Sequence, residues 1–377
     1  MKFSLGKLFT PPTNLFKTMG HQFNIGLDLG PDRLNMVQLE NHAGNIRIRA
    51  MASLPYPCPR QEVDSDTLKA LVKKAYANEP FKGKRIVSCM PADKIKILTV
   101  SYHSKEGQSD EDAVVSELQD RYKDELSEMV VDFKILRHGN EHSNKREALV
   151  ALAPREQVIS YLELLSEAGL TVDSLDIGPA ALTRLVSHVG SIISHDFPQS
   201  PNALLINFGA ESSFVTVIWG RRLMLDRSVA FSENRLVELL NKVLDMPKEV
   251  ALSLLYQNTN NNRTSQEDLD EASKMVEEVL RPEINQLVQE INKTILHMAS
   301  KARGTSVDLI YLSGGIAHSP AILNALSSQL ESPVKILDPT TTFDAGKYAH
   351  LSQMGLGMRG GLALTTGLAL RGIPDNG

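Results

Sequence analysis

Hydrophobic and polar positions divide the chain into two halves that begin alike. Each half opens with three short apolar runs separated by tight polar turns, which predicts a three-stranded antiparallel meander. The runs are Phe23–Leu29, Arg33–Glu40 and Asn45–Ala52 in the first half, and Ala203–Phe208, Ser213–Trp219 and Arg222–Val229 in the second. A pattern that returns in this way predicts two lobes built on one architecture.

The stretch between the two meanders has a different pattern and predicts a small α+β unit. Four apolar runs predict strands, and two segments with apolar residues at three-to-four spacing predict helices. The strands are Arg85–Met90, Lys94–Tyr102, Val130–Leu136 and Ala148–Ala153, and the helices are Asp110–Glu128 and Glu156–Ala168. Gly169 follows the second helix, as is typical of a helix end. We therefore expect a subdomain inserted in the first lobe.

The second half continues with three predicted helices, Ser232–Leu244, Lys248–Tyr256 and the long Glu267–Arg303. Pro282 lies inside the third of them. Because proline lacks a backbone N–H and clashes with the preceding turn, we expect this helix to break or kink near Leu280.

Glycine-containing corners follow three of the predicted strands. The first strand of each meander ends in a polar residue two places before a glycine, in Asp28-Leu29-Gly30 and in Asn207-Phe208-Gly209. Later, the strand Leu309–Ser313 runs into Gly314-Gly315, and a helix capped at Ser319-Pro320 follows. Glycine lets a backbone approach a ligand closely, because it has no Cβ. Taken alone, a Gly-Gly turn is equally typical of an ordinary strand-to-helix connection.

The three corners, in this order, resemble those of the actin-like family that includes PilM of type IV pilus assembly, with MshI as a relative and FtsA as a more distant one. The resemblance extends over residues 22–372 and includes the segments Leu280–Ile284 and Gly367–Arg371. It implies an α/β protein with a duplicated actin-like ATPase (ribonuclease H-like) fold of two lobes. It also implies that the insert is an α+β subdomain of the FtsA and PilM type.

The resemblance and the pattern together divide the chain into domains. We expect a basic, flexible leader over 1–20, a first lobe over 21–87 plus 173–200, the inserted subdomain over 88–172, and a second lobe over 201–377. Within the second lobe, 231–303 is expected to form a helical subdomain.

The resemblance further implies a nucleotide pocket between the lobes, with ATP and magnesium as the cofactors. The first hairpin would grip the phosphates from one side, the second from the other, and the Gly-Gly turn would support the adenosine. The implied nucleotide-binding residues are Asp28, Gly30, Asp32, Arg33 and Asn35, then Asn207, Gly209, Ala210, Glu211, Ser212 and Ser213, and finally Gly314, Gly315 and Ile316. Asp28 is also the implied magnesium ligand.

Several positions depart from the family pattern. Asp32 would place a negative charge near the phosphates, at a cost of about 4 kcal/mol for a like-charge contact at an effective dielectric near 20. Arg33 could offset this cost by binding phosphate itself. Asn207 replaces an aspartate, so it is a weaker magnesium ligand and cannot act as a base. Ala251 and Leu254 stand where relatives often carry Glu and Lys.

These departures predict a degenerate pocket that binds ATP weakly or not at all, and no catalytic residue is assigned. The alternative is an active ATP-hydrolysing actin-like ATPase or a sugar kinase, but a kinase needs a carboxylate base, which is not found where it is expected.

Composition narrows the class of protein. Apolar residues make up 42% of the chain and charged residues 23%, which is typical of a folded globular protein. A net charge of -5 argues against nucleic acid as a partner, because that function requires a basic face. Cys58 and Cys89 form neither a metal spacing nor a disulfide framework, and the histidines form no metal pair.

The chain has no apolar run of about eighteen residues and no signal sequence, so we expect a cytoplasmic protein. The leader carries Lys2, Lys7 and Lys17 among Phe and Leu residues. That composition favours contact with an anionic membrane surface, whereas Pro11 and Pro12 favour a disordered leader. We expect peripheral association with the inner membrane.

The resemblance implies a partner, the cytoplasmic tail of a PilN-like membrane protein, and contact with a pilus assembly ATPase complex. The tail would lie between the insert and the first lobe, near Lys94–Tyr102 and Glu156–Gly169, by adding a strand or filling an apolar trough. Alternatively, these residues form only the insert's own core. A filament protein of the FtsA type is disfavoured, because the ending Ile373–Gly377 lacks an amphipathic helix.

Overall fold

A computed structural model of the chain describes residues 22–42, 45–103, 107–136, 145–192, 201–256, 266–301, 306–344, 356–371 and 373. The predicted leader, 1–20, lies outside the described residues, and so do the last four residues of the chain.

The described strands form three sheets. In chain order they are β1 Gln22–Leu29, β2 Arg33–His42, β3 Asn45–Pro55, β4 Arg85–Cys89, β5 Lys96–His103, β6 Met129–Leu136, β7 Lys145–Pro154, β8 Thr171–Asp176, β9 Ala203–Phe208, β10 Ser213–Trp219, β11 Arg222–Val229, β12 Leu309–Gly314 and β13 Val334–Ile336.

The described α-helices cover the sheets and connect them. They are α1 Ser65–Asn78, α2 Asp110–Tyr122, α3 Arg155–Glu167, α4 Gly178–Ile192, α5 Glu233–Leu244, α6 Lys248–Leu255, α7 Gln266–Lys301, α8 Pro320–Gln329, α9 Pro339–Thr342, α10 Leu356–Gly361 and α11 Ala363–Ala369.

Two five-stranded sheets repeat one topology, and each forms a lobe. The first has the order β3-β2-β1-β4-β8 and the second the order β11-β10-β9-β12-β13. In both, the meander is antiparallel and the last two strands run parallel to the first strand of that meander. The predicted duplication is therefore confirmed. Because the carboxyl ends of β1 and β9 are equivalent, the two glycine corners occupy matching positions in the two lobes.

The insert contains the third sheet, with the order β5-β7-β6. Helix α2 packs on this sheet through Val114 and Leu118, which share a core with Val100 and Tyr102. The sequence pattern groups helix α3 with the insert, but the structure places its buried face elsewhere. Its buried face, including Tyr161 and Leu165, packs in the core of the first lobe. The amphipathic stripe predicts the helix, but only the tertiary structure shows which sheet it covers.

Helix α7 is continuous through Pro282, so the predicted break does not occur. A proline inside a helix costs about 3 kcal/mol or more. Leu280, Ile284, Leu287 and Ile291 are all buried in the core of the second lobe, and burying such side chains stabilises the helix by about 1.5–3 kcal/mol each. Packing on both sides of Pro282 therefore outweighs the lost hydrogen bond.

Helices α4 and α11 cross between the lobes, and the strand-and-turn pattern predicts neither. A Cβ on Gly367 would lie 2.1 Å from the backbone oxygen of Ala181, so the crossing requires glycine. One apolar core joins Val37 of the first meander, Leu185 of α4 and Leu205 of the second meander. The two lobes are therefore packed against a shared pair of helices.

Asp226 on β11 gives the second lobe a pH-dependent stability. The carboxyl group is buried and accepts a hydrogen bond from Thr216 Oγ1 at 2.6 Å. Burial raises the pKa of Asp226 to about 7, because the charged form loses its hydration. The folded state then retains the proton to higher pH than the unfolded state does. Its stabilising contribution is complete below the ordinary pKa of 3.8 and is lost as pH rises towards 7.

We expect Asp226→Asn to remove this dependence. At pH 8 the variant should unfold with a free energy higher by about 2–4 kcal/mol than the native chain, and near pH 4 the two should be equal. Urea titrations at several pH values, followed by fluorescence of Trp219, measure the difference. A native chain whose stability rises relative to the variant between pH 4 and 7 would contradict this expectation.

Candidate functional site

The first glycine corner places Asp28 at the carboxyl end of β1. Asn35 lies opposite on β2 and hydrogen-bonds the half-buried Asp28 carboxylate, while Ser53 Oγ donates to Asn35 Oδ1 at 2.8 Å. The Cys89 Sγ lies 3.8 Å from Asp28 Oδ1. Burial raises the pKa of Asp28, although Asn35, Cys89 and the charge of Arg60 each act to lower it. The implied magnesium ligand is thus already held by protein groups.

The turn after Gly30 carries Asp32 and Arg33, which bind each other. The guanidinium of Arg33 donates from Nη2 to Asp32 Oδ2 at 2.8 Å and from Nε to Oδ1 at 3.1 Å. Burial acts to lower the pKa of Arg33, but Asp32 outweighs it, with smaller contributions from Tyr256 and Glu233. Arg33 therefore neutralises Asp32 within the hairpin, and Tyr256 and Glu233 of the second lobe are near enough to influence its pKa.

The second and third corners meet side by side. Strands β9 and β12 pair in parallel with Asn207 opposite Ser313 and Phe208 opposite Gly314. Ser313 Oγ donates to Asn207 Oδ1 at 2.9 Å, so the oxygen that could ligate magnesium already accepts a bond. Gly314 has φ of 98°, a left-handed conformation that favours glycine.

The loop that follows Asn207 is tied to the start of α5. The backbone oxygens of Gly209 and Ala210 accept from the N–H groups of Glu233 and Asn234 at 3.1 and 3.0 Å. Those N–H groups are the ones that a helix start otherwise offers to an anion. Among the other predicted residues here, Glu211 is exposed, Ser212 is half-buried and Ser213 is buried. Within the part of the chain that is described, Ser213 Oγ has no hydrogen-bond partner.

The Gly-Gly turn faces Tyr256, which the sequence pattern does not single out. A Cβ on Gly315 would lie only 2.7 Å from Cε1 of Tyr256, so the ring rests directly on this turn. The Tyr256 hydroxyl donates to Glu233 Oε2 at 2.5 Å. Ala251 and Leu254, the positions compared with the family's Glu and Lys, belong instead to the apolar core or pack against it. No local signal identifies Tyr256, because an aromatic residue at the end of a helix is ordinary.

Ile316, the last of the predicted nucleotide-binding residues, begins the turn into α8 and is fully buried. The sequence predicts Ser319 as the cap of α8. It occupies the cap position with Pro320 first in the helix, but its side chain makes no capping hydrogen bond.

A second carboxylate, Asp176, ends β8 beside Cys89. It is almost fully buried, and its Oδ2 accepts from Arg184 at 2.8 Å and from Arg371 at 3.0 Å. Its Oδ1 accepts the N–H of Ile177. Because both oxygens already accept hydrogen bonds and two guanidinium groups pair with the carboxylate, Asp176 is not placed to act as a base. Across the described ranges, no three His, Cys, Asp or Glu side chains form a metal cluster.

A groove of about 490 Å³ lies where the first lobe continues into the insert and where α3 returns from it. We call it the junction groove, and its lining residues are Arg60, Met90, Pro91, Lys94, Glu156, Gln157, Ser160, Tyr161 and Leu164. Its floor is fixed, because the Tyr161 hydroxyl and Ser88 Oγ lie 2.8 Å apart and Ser88 Oγ donates to the backbone oxygen of Leu27 at 2.8 Å.

A sequence profile of the family described as "Type IV pilus assembly protein PilM" matches residues 26–373. The chain belongs to the PilM family. The resemblance drawn from the three corners is thereby confirmed, and the chain is an actin-like protein of type IV pilus assembly.

Solved structures agree with this assignment of fold. One is a "PilM-PilN type IV pilus biogenesis complex", which is 20% identical with a TM-score of 0.71, over 93% of this chain and 99% of that one. Another is the ethanolamine utilization protein EutJ from Carboxydothermus hydrogenoformans, which is 12% identical with a TM-score of 0.51, over 98% of this chain and 94% of that one. The predicted duplicated actin-like fold is confirmed.

In this PilM-family chain, the predicted nucleotide-binding residues are brought together only in part. The second hairpin and the Gly-Gly turn are in contact, and Arg33 of the first hairpin is close enough to Glu233 and Tyr256 to shift the pKa of each. The insert that the PilM resemblance implies is present as a separate sheet. No helix in the described ranges has the length and apolar character of a membrane span.

Proposed function

We propose that this PilM-family chain is a scaffold of type IV (or MSHA-type) pilus assembly that binds the cytoplasmic tail of a PilN-like inner-membrane protein in the junction groove. The observation that carries the proposal is the groove itself, at the boundary between the first lobe and the insert. Its lining includes Lys94, at the start of the predicted segment Lys94–Tyr102, and five residues of the predicted Glu156–Gly169.

The chemistry of the groove suits an extended peptide with apolar side chains. Met90, Tyr161 and Leu164 give it an apolar floor, whereas Lys94 and Glu156 are exposed charges at its rim. A trough of this kind accepts alternate apolar side chains of an extended segment, while polar rim groups bind its backbone. We propose that the complex sits at the cytoplasmic face of the inner membrane and contacts a pilus assembly ATPase complex. The acidic net charge of -5 argues against nucleic acid.

The pocket between the lobes is proposed to be degenerate. In this conformation the residues present do not fit a magnesium nucleotide. The guanidinium of Arg33 is bonded to Asp32, and the side-chain oxygen of Asn207 accepts a hydrogen bond from Ser313. The ring of Tyr256 covers Gly315. We therefore propose that ATP with magnesium binds weakly or not at all, and that the chain is not an enzyme.

The alternative is an active actin-like ATPase or a sugar kinase, and the retained Asp28 is what favours it. Asp176 disfavours it. This carboxylate ends β8, which β4 separates from the strand of Asp28, and it is paired with Arg184 and Arg371, so it is not free to accept a substrate proton.

Filling the junction groove should weaken tail binding. Ser160 and Ser166 are both exposed on α3, but only Ser160 lines the groove. We expect Ser160→Phe to weaken binding of a labelled PilN-like tail peptide at least tenfold, about 1.4 kcal/mol or more, because the ring occupies the trough. Ser166→Phe, the matched control, should bind like the native chain. Fluorescence anisotropy measures both.

Two results would count against the proposed function. One is a well-folded native chain that does not bind the tail peptide at all. The other is equal binding by the native chain, Ser160→Phe and Ser166→Phe, which would place the tail outside the junction groove.

A further inference from the structure

We propose that Tyr256 is a built-in occupant of the pocket between the lobes, held over the Gly-Gly turn by Glu233, and that it excludes nucleotide until it swings out. The inference rests on the proposed degenerate pocket and goes further, since it assigns the loss of binding to one side chain that can move. The pocket would then be closed by a contact of the chain itself.

The position of the ring carries the first step. In open α/β sheets, ligands bind outside the carboxyl ends of the strands. Gly315 follows the carboxyl end of β12 directly, and glycine there leaves space that a ligand would otherwise use. That space contains Cε1, Cζ and the hydroxyl of Tyr256, which lie 2.7, 3.1 and 3.0 Å from where a Cβ on Gly315 would be. A nucleotide base and this ring cannot occupy the same space.

The hydroxyl of Tyr256 holds the ring in this position. It donates to Glu233 Oε2 at 2.5 Å, and the backbone N–H of Glu233 is bonded to the oxygen of Gly209 at 3.1 Å. The ring is thereby attached to the second hairpin through one residue. Burial raises the pKa of Glu233, while the bond from Tyr256 and the charge of Arg33 oppose that shift. The hydrogen bond from Tyr256 to Glu233 is therefore charge-assisted when Glu233 is ionised.

Two charged residues of the first lobe act on Glu233 and Tyr256. Asp32 and Arg33 form an ion pair whose charges shift the pKa values of both Glu233 and Tyr256. The charge of Arg33 thus acts on Glu233 and Tyr256 from the opposite lobe. Moving Tyr256 outward would break its bond to Glu233 and uncover Gly315. The ring-in arrangement of this structure would then exchange with a ring-out arrangement that lacks the bond to Glu233.

Nucleotide binding by Tyr256→Ala tests the inference. We expect mant-ATP with magnesium, titrated by fluorescence, to bind this variant at least tenfold more tightly than the native chain. Tyr76→Ala is the matched control, because Tyr76 is also half-buried with its hydroxyl bonded to a backbone oxygen, that of Gly83. The control should bind no better than the native chain. Tyr256→Ala that retains the native circular dichroism spectrum and shows no gain would overturn the inference.

A second variant decides the matter if Tyr256→Ala does not fold. Tyr256→Phe keeps the ring and removes only the bond to Glu233, so we expect mant-ATP to bind it several-fold more tightly and the amides of Ser313–Ile316 to exchange hydrogen faster. No change in either measurement would overturn the inference. Tail-peptide binding is measured on the same samples. If the native chain does not bind the tail but the variant gains nucleotide, only the proposed partner is refuted. If the native chain binds the tail and the variant gains no nucleotide, only the role of Tyr256 is refuted.

Discussion

Replacing Gly314 by alanine is expected to lower the free energy of unfolding of the second lobe by about 3–5 kcal/mol. Two costs combine. The residue has φ of 98°, which an L side chain rarely adopts, and its Cβ would lie 2.1 Å from the backbone oxygen of Phe208. That oxygen belongs to the neighbouring strand β9, which is held in the sheet by pairing on both sides and cannot retreat cheaply.

Urea unfolding followed by Trp219 fluorescence measures this loss, because the single tryptophan of the chain is on β10 in the same lobe. Gly220→Ala is the control. Gly220 also has positive φ, at 57°, but nothing lies within 4 Å of its Cβ position. It should therefore lose only about 1 kcal/mol, the cost of the backbone conformation. Equal losses in the two variants would show that the contact with β9 contributes nothing.

Replacing Asp176 by alanine is expected to cost about 3–5 kcal/mol. Its carboxylate is fully covered and pairs with Arg184 of α4 and with Arg371, which follows α11 and has a side chain only 8% exposed. Removing the carboxylate takes away the counter-charge that Asp176 supplies to two guanidinium groups in a poorly hydrated place. Since α4 and α11 cross between the lobes, the loss should appear in the cooperative unfolding of the whole molecule.

Asp173→Ala provides the comparison, three residues earlier on the same strand. Asp173 pairs with Arg85, whose side chain is 67% exposed, and it accepts a hydrogen bond from Asn24. An exposed ion pair contributes about 0–1 kcal/mol, so this variant should be nearly as stable as the native chain. Thermal unfolding by calorimetry distinguishes the two. A smaller loss for Asp176→Ala than for Asp173→Ala would contradict the assignment of Asp176 as a buried counter-charge.

The candidate site divides between residues that local sequence identifies and residues that it does not. The glycine corners at Gly30, Gly209 and Gly314 are visible because glycine at a strand end has a local conformational reason. Tyr256 and Glu233 are not visible, because neither departs from what a helix ordinarily contains. Their importance comes from a hydrogen bond between two different helices and from the proximity of a turn much later in the chain.

The sequence by itself determined the strands of the duplicated meanders and those of the inserted sheet, since alternation, short turns and glycine positions depend on neighbours within a few residues. It grouped the strand Arg85–Met90 with the insert, whereas β4 lies in the sheet of the first lobe. Strands β9, β10 and β11 have the predicted bounds for that reason. Only the tertiary structure decided that α3 covers the first lobe, that α7 continues through Pro282, and that protein side chains engage the pocket between the lobes. Each of these depends on contacts between distant segments, such as Ser313 with Asn207 at a separation of 106 residues. Burial and hydrogen bonding between residues so far apart in the chain outweigh local conformational preferences, and the local sequence pattern does not predict them.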